Sequence, residues 1–251
     1  MSTELPTPTT AGPAIERRPD RLRAILVAVG LTLAAVAMTA LMGIPLGVLV
    51  ITLDVPLSSG LFLIGLFVGN AIAFGLVAGI YFYRGGENST VAISRTELRL
   101  IVSVAFVSLV VGLAYPVAVS LFGLGAPSTL VGNAILAEPL FFLVYAALSI
   151  LVIAPAEEWL FRGAIQGRLR RAFGARGAIV GASALFGSLH FFNIAGGLLP
   201  AVVGASTVFV VAMLWGWAYE RTGNLAVPIL LHGLYNTGLV TVAYLSIVVG
   251  F

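Results

Sequence analysis

The chain has 251 residues, 60% of them hydrophobic and only 9% charged, with a net charge of +3 and no cysteine. An ordinary soluble domain carries about 25% charged residues, so these numbers exclude a soluble globule. They also exclude a phosphate-tracking nucleic-acid binder, a disulfide-stapled fold and any thiolate chemistry.

Residues 1–20 are rich in Thr, Pro and Ala and read as a flexible cytoplasmic tail rather than a cleaved signal. Long apolar runs follow at 24–50, 60–83, 98–122, 134–156, 177–195, 198–219 and 225–251. Most approach the ~20 residues that a helix needs to cross a bilayer. Lipid forces them to be helical, because unpaired backbone groups are too costly there. The expected fold is therefore an all-α, polytopic transmembrane bundle of seven or eight spans, with residues 21–251 forming one domain. The prolines Pro45 and Pro56 leave room for an extra short segment at 43–57. Residues 134–171 are too long for one simple span, and a kink or break is expected near Pro155.

All thirteen basic residues are Arg, in four clusters: Arg17 to Arg23, Arg84 to Arg99, Arg162 to Arg176, and Arg221. With a cytoplasmic N-terminus and seven spans, every cluster falls on the cytoplasmic side, as the positive-inside rule requires. Trp215 and Trp217, close to Glu220 and Arg221, read as part of an interfacial aromatic belt.

Ionisable groups within spans are expensive, so each is a functional candidate. The set is Glu138, Glu157, Glu158, Arg162, His190 and His232, with Asn70, Asn193 and Asn236 as further polar residues. Glu158 and Arg162 are four residues apart and share a helix face, so Arg162 neutralises Glu158 and leaves Glu157 with a free carboxylate. This spacing equally fits a plain ion pair closing a helix end. Phe186 and His190 repeat the spacing, and His190 alone would fit a packing role. His232 and Asn236 repeat it again, and alone would fit interhelical hydrogen bonding. Counted from the flanking Arg clusters, these groups lie at one depth of roughly 16–22 Å. A carboxylate, two imidazoles and a carboxamide in one layer, reached from the cytoplasmic side, suit the activation of water.

Glu-Glu-x-x-x-Arg, Phe-x-x-x-His and His-x-x-x-Asn, in this order over residues 157–236 and each in its own apolar segment, resemble the CAAX prenyl protease and bacteriocin-processing family of intramembrane proteases, also called CPBP or Abi. The resemblance implies an intramembrane endopeptidase acting near the cytoplasmic side of a cell membrane. Glu157 would be the general base, His190 would activate the water, and His232 and Asn236 would stabilise the oxyanion. Glu158 and Arg162 would hold the helix end, Phe186 would pack His190, and the amphipathic stretch 163–172 would lie at the membrane surface. The family also carries a metalloprotease label. Glu157, His190 and His232 are donors that Zn²⁺ accepts, while the lack of H-E-x-x-H weighs against a tightly held metal. The implied partners are the bilayer and a peptide or membrane-protein substrate, with or without a lipid modification. Two other readings of the same residues are a proton-coupled transporter and a non-catalytic immunity or scaffold protein.

Overall fold

Backbone groups denied water must pair within their own segment, and this chain is helical along nearly all of its length. The structure, a computed structural model, describes residues 21–56, 59–83, 92–123 and 128–249; the expected N-terminal tail, with Arg17 and Arg18, and Arg84 lie outside the described residues. Its helices are α1 (Arg21–Leu53), α2 (Gly60–Tyr83), α3 (Arg95–Leu121), α4 (Leu130–Ala137), α5 (Phe141–Leu148), α6 (Ala154–Glu158), α7 (Gly167–His190), α8 (Leu198–Thr222) and α9 (Ala226–Val249). Two-residue strands β1 (Ser128–Thr129) and β2 (Ile194–Ala195) pair antiparallel, Ser128 opposite Ala195.

Six runs among the described residues are long and apolar enough to cross a membrane. One of them, Phe141–Asn193, has 53 residues, about 80 Å if straight. It is not straight. Gly174 adopts φ 72° and ψ 179° inside α7 and turns the chain back on itself. Phe161 therefore meets Phe186 with ring centroids 5.0 Å apart, although 25 residues separate them in sequence. The described residues thus traverse the bundle seven times, roughly consistent with the seven or eight spans expected from the sequence.

The expected break near Pro155 falls elsewhere. The helix continues through Pro155, with π-helical turns at Ser149–Ile153 and Trp159–Gln166 on either side. A π turn spreads its hydrogen bonds over one more residue, and that slack absorbs the missing proline N–H. The real interruptions are the turn between α4 and α5 and the corner at Gly174. No separate segment forms around 43–57, because α1 runs unbroken through Pro45 to Leu53.

The two ends of the bundle are chemically distinct. At one end the Arg21 guanidinium lies 5.7 Å from the centre of the Phe173 ring, and Arg170 pairs with Glu220. Asn224 there donates to the Ala92 carbonyl (2.7 Å) and to Glu97 (3.0 Å). These contacts gather the start of α1, the Gly174 corner, the α8–α9 turn and the start of α3. A capping box opens α3: Ser94 Oγ accepts from the Glu97 N–H, and Glu97 accepts from the Ser94 N–H. At the other end the Gly60 N–H donates to Glu138 (3.2 Å), Phe142 stacks on Tyr244, and the β1–β2 pair joins the α3–α4 and α7–α8 connections. The described Arg residues other than Arg162 lie at or near the first end.

The helices are apolar both inside and out. Leu26, Leu33, Val102 and Phe106 are each more than 60% exposed, while Ala24, Ala28, Ala35 and Ala73 are buried between helices. A helix apolar all round is one immersed in lipid or protein. The chain is an integral, multi-pass membrane protein.

The backbone conformation of Gly174 is open almost solely to glycine. We expect Gly174→Ala to lower stability by about 1–3 kcal/mol, read as a lower thermal midpoint in detergent. Gly75→Ala, in the interior of α2 with open space beside it, should leave the midpoint unchanged or raise it.

Candidate active site

The short helix α6 carries two adjacent carboxylates into the middle of the bundle. Glu158 and Arg162 share a face, and Arg162 Nε donates to Glu158 Oε2 over 2.8 Å with both side chains fully buried. The second Glu158 oxygen lies 3.0 Å from His232 Nδ1. An ionised carboxylate only accepts, so Nδ1 carries the hydrogen and the lone pair or second proton belongs to Nε2. His232 Nε2 faces Glu157 Oε2 at 3.8 Å, close for opposite charges but long for a hydrogen bond. Glu158 thus fixes the orientation of His232; the helix end expected at Glu158 and Arg162 does not occur, because the π turn Trp159–Gln166 carries the helix on.

Glu157 is held from its other side. Asn70 Nδ2 on α2 donates to Glu157 Oε1 (3.4 Å), and Thr39 on α1 donates to Asn70 Oδ1 (2.8 Å). His190 Nδ1 lies 3.0 Å from the Phe186 carbonyl. A carbonyl cannot donate, so Nδ1 carries the hydrogen here too, and the neutral ring presents its Nε2 lone pair.

Phe186 and Trp215 wall the site. Phe186 is 1% exposed and Trp215 2% exposed. The Phe186 ring lies 4.7 Å from His190, 5.7 Å from His232 and 5.7 Å from the Arg162 guanidinium carbon. Trp215 stacks on His232 at 4.5 Å and donates its indole N–H to Ser108 (3.2 Å). Trp215 is therefore no belt residue, and this corrects the sequence expectation. Spacing along α8 cannot tell a lipid-facing ring from one turned inward two residues away. Trp217 is 42% exposed, with Arg221 beside its ring.

A cavity of about 420 Å³ is lined by Glu157, His190, His232, Asn236, Asn70 and Trp215, among others. The four groups that sequence spacing places in one layer thus share one chamber, at which α2, α6, α7, α8 and α9 meet. Asn236 borders the chamber one helical turn beyond His232. Asn193 is exposed at the cavity edge, and Glu138 lies apart at the α4–α5 turn.

Residues 139–238 match the family model described as Type II CAAX prenyl endopeptidase Rce1-like. The resemblance carried by the three motifs holds over this segment, which spans α5 to α9 and contains Glu157, His190, His232 and Asn236. Uncharacterized protein YpbD of Bacillus subtilis (strain 168) is 39% identical over 82 residues, 33% of this chain and 36% of that relative. The match thus spans about a third of the relative's length. No solved structure matches the chain. The Rce1-like match makes the chain similar to membrane proteases.

Beyond the match, the Rce1-like segment leans on helices outside it. Asn70 and Thr39 hold Glu157 from α2 and α1, and the sequence signalled only Asn70, as a polar residue in an apolar run. Gln166 was not anticipated either. It is fully buried, donates to the Gly216 carbonyl and to Glu220 (both 3.0 Å), and accepts from Arg162 (3.4 Å). Among the described residues no group of three His, Asp or Glu side chains is arranged to hold a metal ion. Glu157, His190 and His232, the set named from sequence for a metal, all line the chamber. The His232 Nδ1 and His190 Nδ1 atoms are each engaged by protein oxygens.

Removing one partner of a buried ion pair leaves the other uncompensated. We expect Arg162→Ala to cost about 3–5 kcal/mol, measured by thermal unfolding in detergent. Replacing both Glu158 and Arg162 by Met should recover part of that loss.

Proposed function

We propose that this protein is an intramembrane endopeptidase that hydrolyses a peptide bond within the chamber. The observation that carries the reading is the convergence of Glu157, His190, His232 and Asn236 on one cavity, with a buried ion pair behind His232. Glu157 and Glu158 bring two negative charges and Arg162 one positive charge. One proton shared between Glu157 and His232 Nε2 makes the cluster neutral, the arrangement favoured away from water. With that proton on His232, Glu157 is a free base and His232 Nε2–H is a donor.

The chemistry follows from this state. A water bound between Glu157 and the His190 Nε2 lone pair loses a proton to Glu157 as its oxygen bonds to the substrate carbonyl carbon. The carbonyl oxygen becomes an oxyanion and accepts hydrogen bonds from His232 Nε2–H and the Asn236 amide. Glu157 then delivers its proton to the amide nitrogen, the C–N bond breaks, and a carboxylic acid and an amine leave. Asn70 keeps Glu157 from rotating away. No step is routed through a metal.

The substrate is an apolar peptide segment or membrane protein; a lipid-modified peptide fits the same chamber. We place the N-terminus in the cytoplasm of a cell membrane, by the distribution of Arg. A proton-coupled transporter or a non-catalytic partner would use the same residues without peptide cleavage.

Glu157→Gln and His190→Ala should abolish cleavage, detected as loss of shortened termini in a membrane proteome, with helicity and elution volume unchanged. Normal processing by both variants would overturn the reading. Asn236→Ala should lower kcat by roughly 10²–10³ with little change in KM. Elemental analysis of the purified protein should find no stoichiometric metal, and chelator treatment should leave turnover intact.

A further inference from the structure

The chamber lies to one side of its own catalytic layer. Most of the residues that line it lie away from the Arg-rich end, with Trp215 and His232 marking its inner limit on α8 and α9. On α2 the lining residues Leu66 and Phe67 lie near the Gly60 end. On α3 they are Gly112 and Tyr115, towards Leu121. On α9 the lining runs from His232 outward to Ala243. Val131 and Gly132 of α4, with Asn193 and Ile194 beside the β1–β2 pair, complete that end.

Among the described residues, the opposite side is packed with buried side chains. Directly beneath Glu157 and His232 stand Glu158, Arg162 and Gln166, all fully buried. Their hydrogen bonds continue through Glu220 to Arg170. Leu160, Phe161, Ile165, Ala218 and Leu231, also fully buried, pack among and around them. A peptide arriving from the Arg-rich end would have to part this ion-paired layer before reaching Glu157. One arriving from the other end meets Asn193, exposed at the edge, and then an aromatic and aliphatic wall.

Resting on the proposed hydrolase reading, we infer that substrate enters from the end of the bundle opposite the arginines, so that an apolar stretch of an exported or membrane-anchored chain is the peptide presented to Glu157. The positive-inside rule makes that end the non-cytoplasmic one. This reverses the cytoplasmic access expected from the sequence. Depth counted from the Arg clusters gives the level of the site but not the side on which it opens.

Because the chain lacks cysteine, single cysteines report access directly. Thr207→Cys and Ala243→Cys each place a thiol on the chamber wall, and Arg171→Cys places one on the exposed Arg-rich end. The probe is a small, charged, membrane-impermeant thiosulfonate added to intact bacterial cells expressing each full-length variant. Unreacted thiols are then counted with a polyethylene-glycol maleimide after denaturation. Blocking of Thr207→Cys and Ala243→Cys in intact cells, with Arg171→Cys blocked only after permeabilisation, is the expected result. Two wall positions guard against one variant misfolding. Protection of both wall thiols in intact cells overturns the inference, whether they react from the cytoplasmic side or from neither. So does blocking of Arg171→Cys in intact cells. Labelling needs no turnover, so failure here leaves the hydrolase reading standing, and an inert enzyme leaves the access result standing.

Discussion

One constraint organises this molecule: charge must balance in a layer closed to water. Two adjacent carboxylates on α6 meet one guanidinium four residues on and one imidazole from α9. Arg162 occupies Glu158 from below, with both side chains fully buried and 2.8 Å between them, and Glu158 in turn orients His232 at 3.0 Å. The remaining carboxylate, Glu157, faces His232 Nε2 at 3.8 Å. These contacts tie α6 to α9, since each group is costly in the interior without the others.

The rest of the architecture serves that layer. Flanking π-helical turns, at Ser149–Ile153 and Trp159–Gln166, set the rotation of α6 between a proline and a long helix. Gly174 folds α7 back so that Phe186 and His190 lie beside Arg162 and Glu157 rather than a membrane's width away. Trp215 presses flat on His232, leaving the imidazole little freedom except along its Nδ1–Nε2 axis. Asn70 and Thr39 reach in from α2 and α1, so the amino-terminal helices supply part of the site's support as well as a wall against lipid.

The bundle is also asymmetric from end to end. Arginines, the capping box of α3 and the buried polar chain from Arg162 to Arg170 concentrate at one end. The cavity and the β1–β2 pair lie at the other. On the proposed reading, a protease working inside a membrane must admit water and peptide without opening its charged support to either, and support and entrance on opposite sides of the catalytic layer would meet both demands.

Hydrophobic run length and Arg spacing were enough to read the helical class and the seven traverses, because lipid imposes one backbone solution and charge distribution imposes one alternation. The motif residues were legible for a related reason: an acid, two imidazoles and an amide stand out against runs of Leu, Val and Ala. Run length could not locate the interruptions, since Pro155 can be absorbed by π turns while a single glycine reverses the chain at Gly174. Nor could periodicity turn Trp215 inward, or assign Asn70 to Glu157 across 87 residues. Those contacts join segments far apart in sequence, and only their packing brings them within bonding distance. The direction in which the chamber opens is of the same kind: it depends on which side of the layer is filled, a property of volume that a linear pattern of residues does not carry.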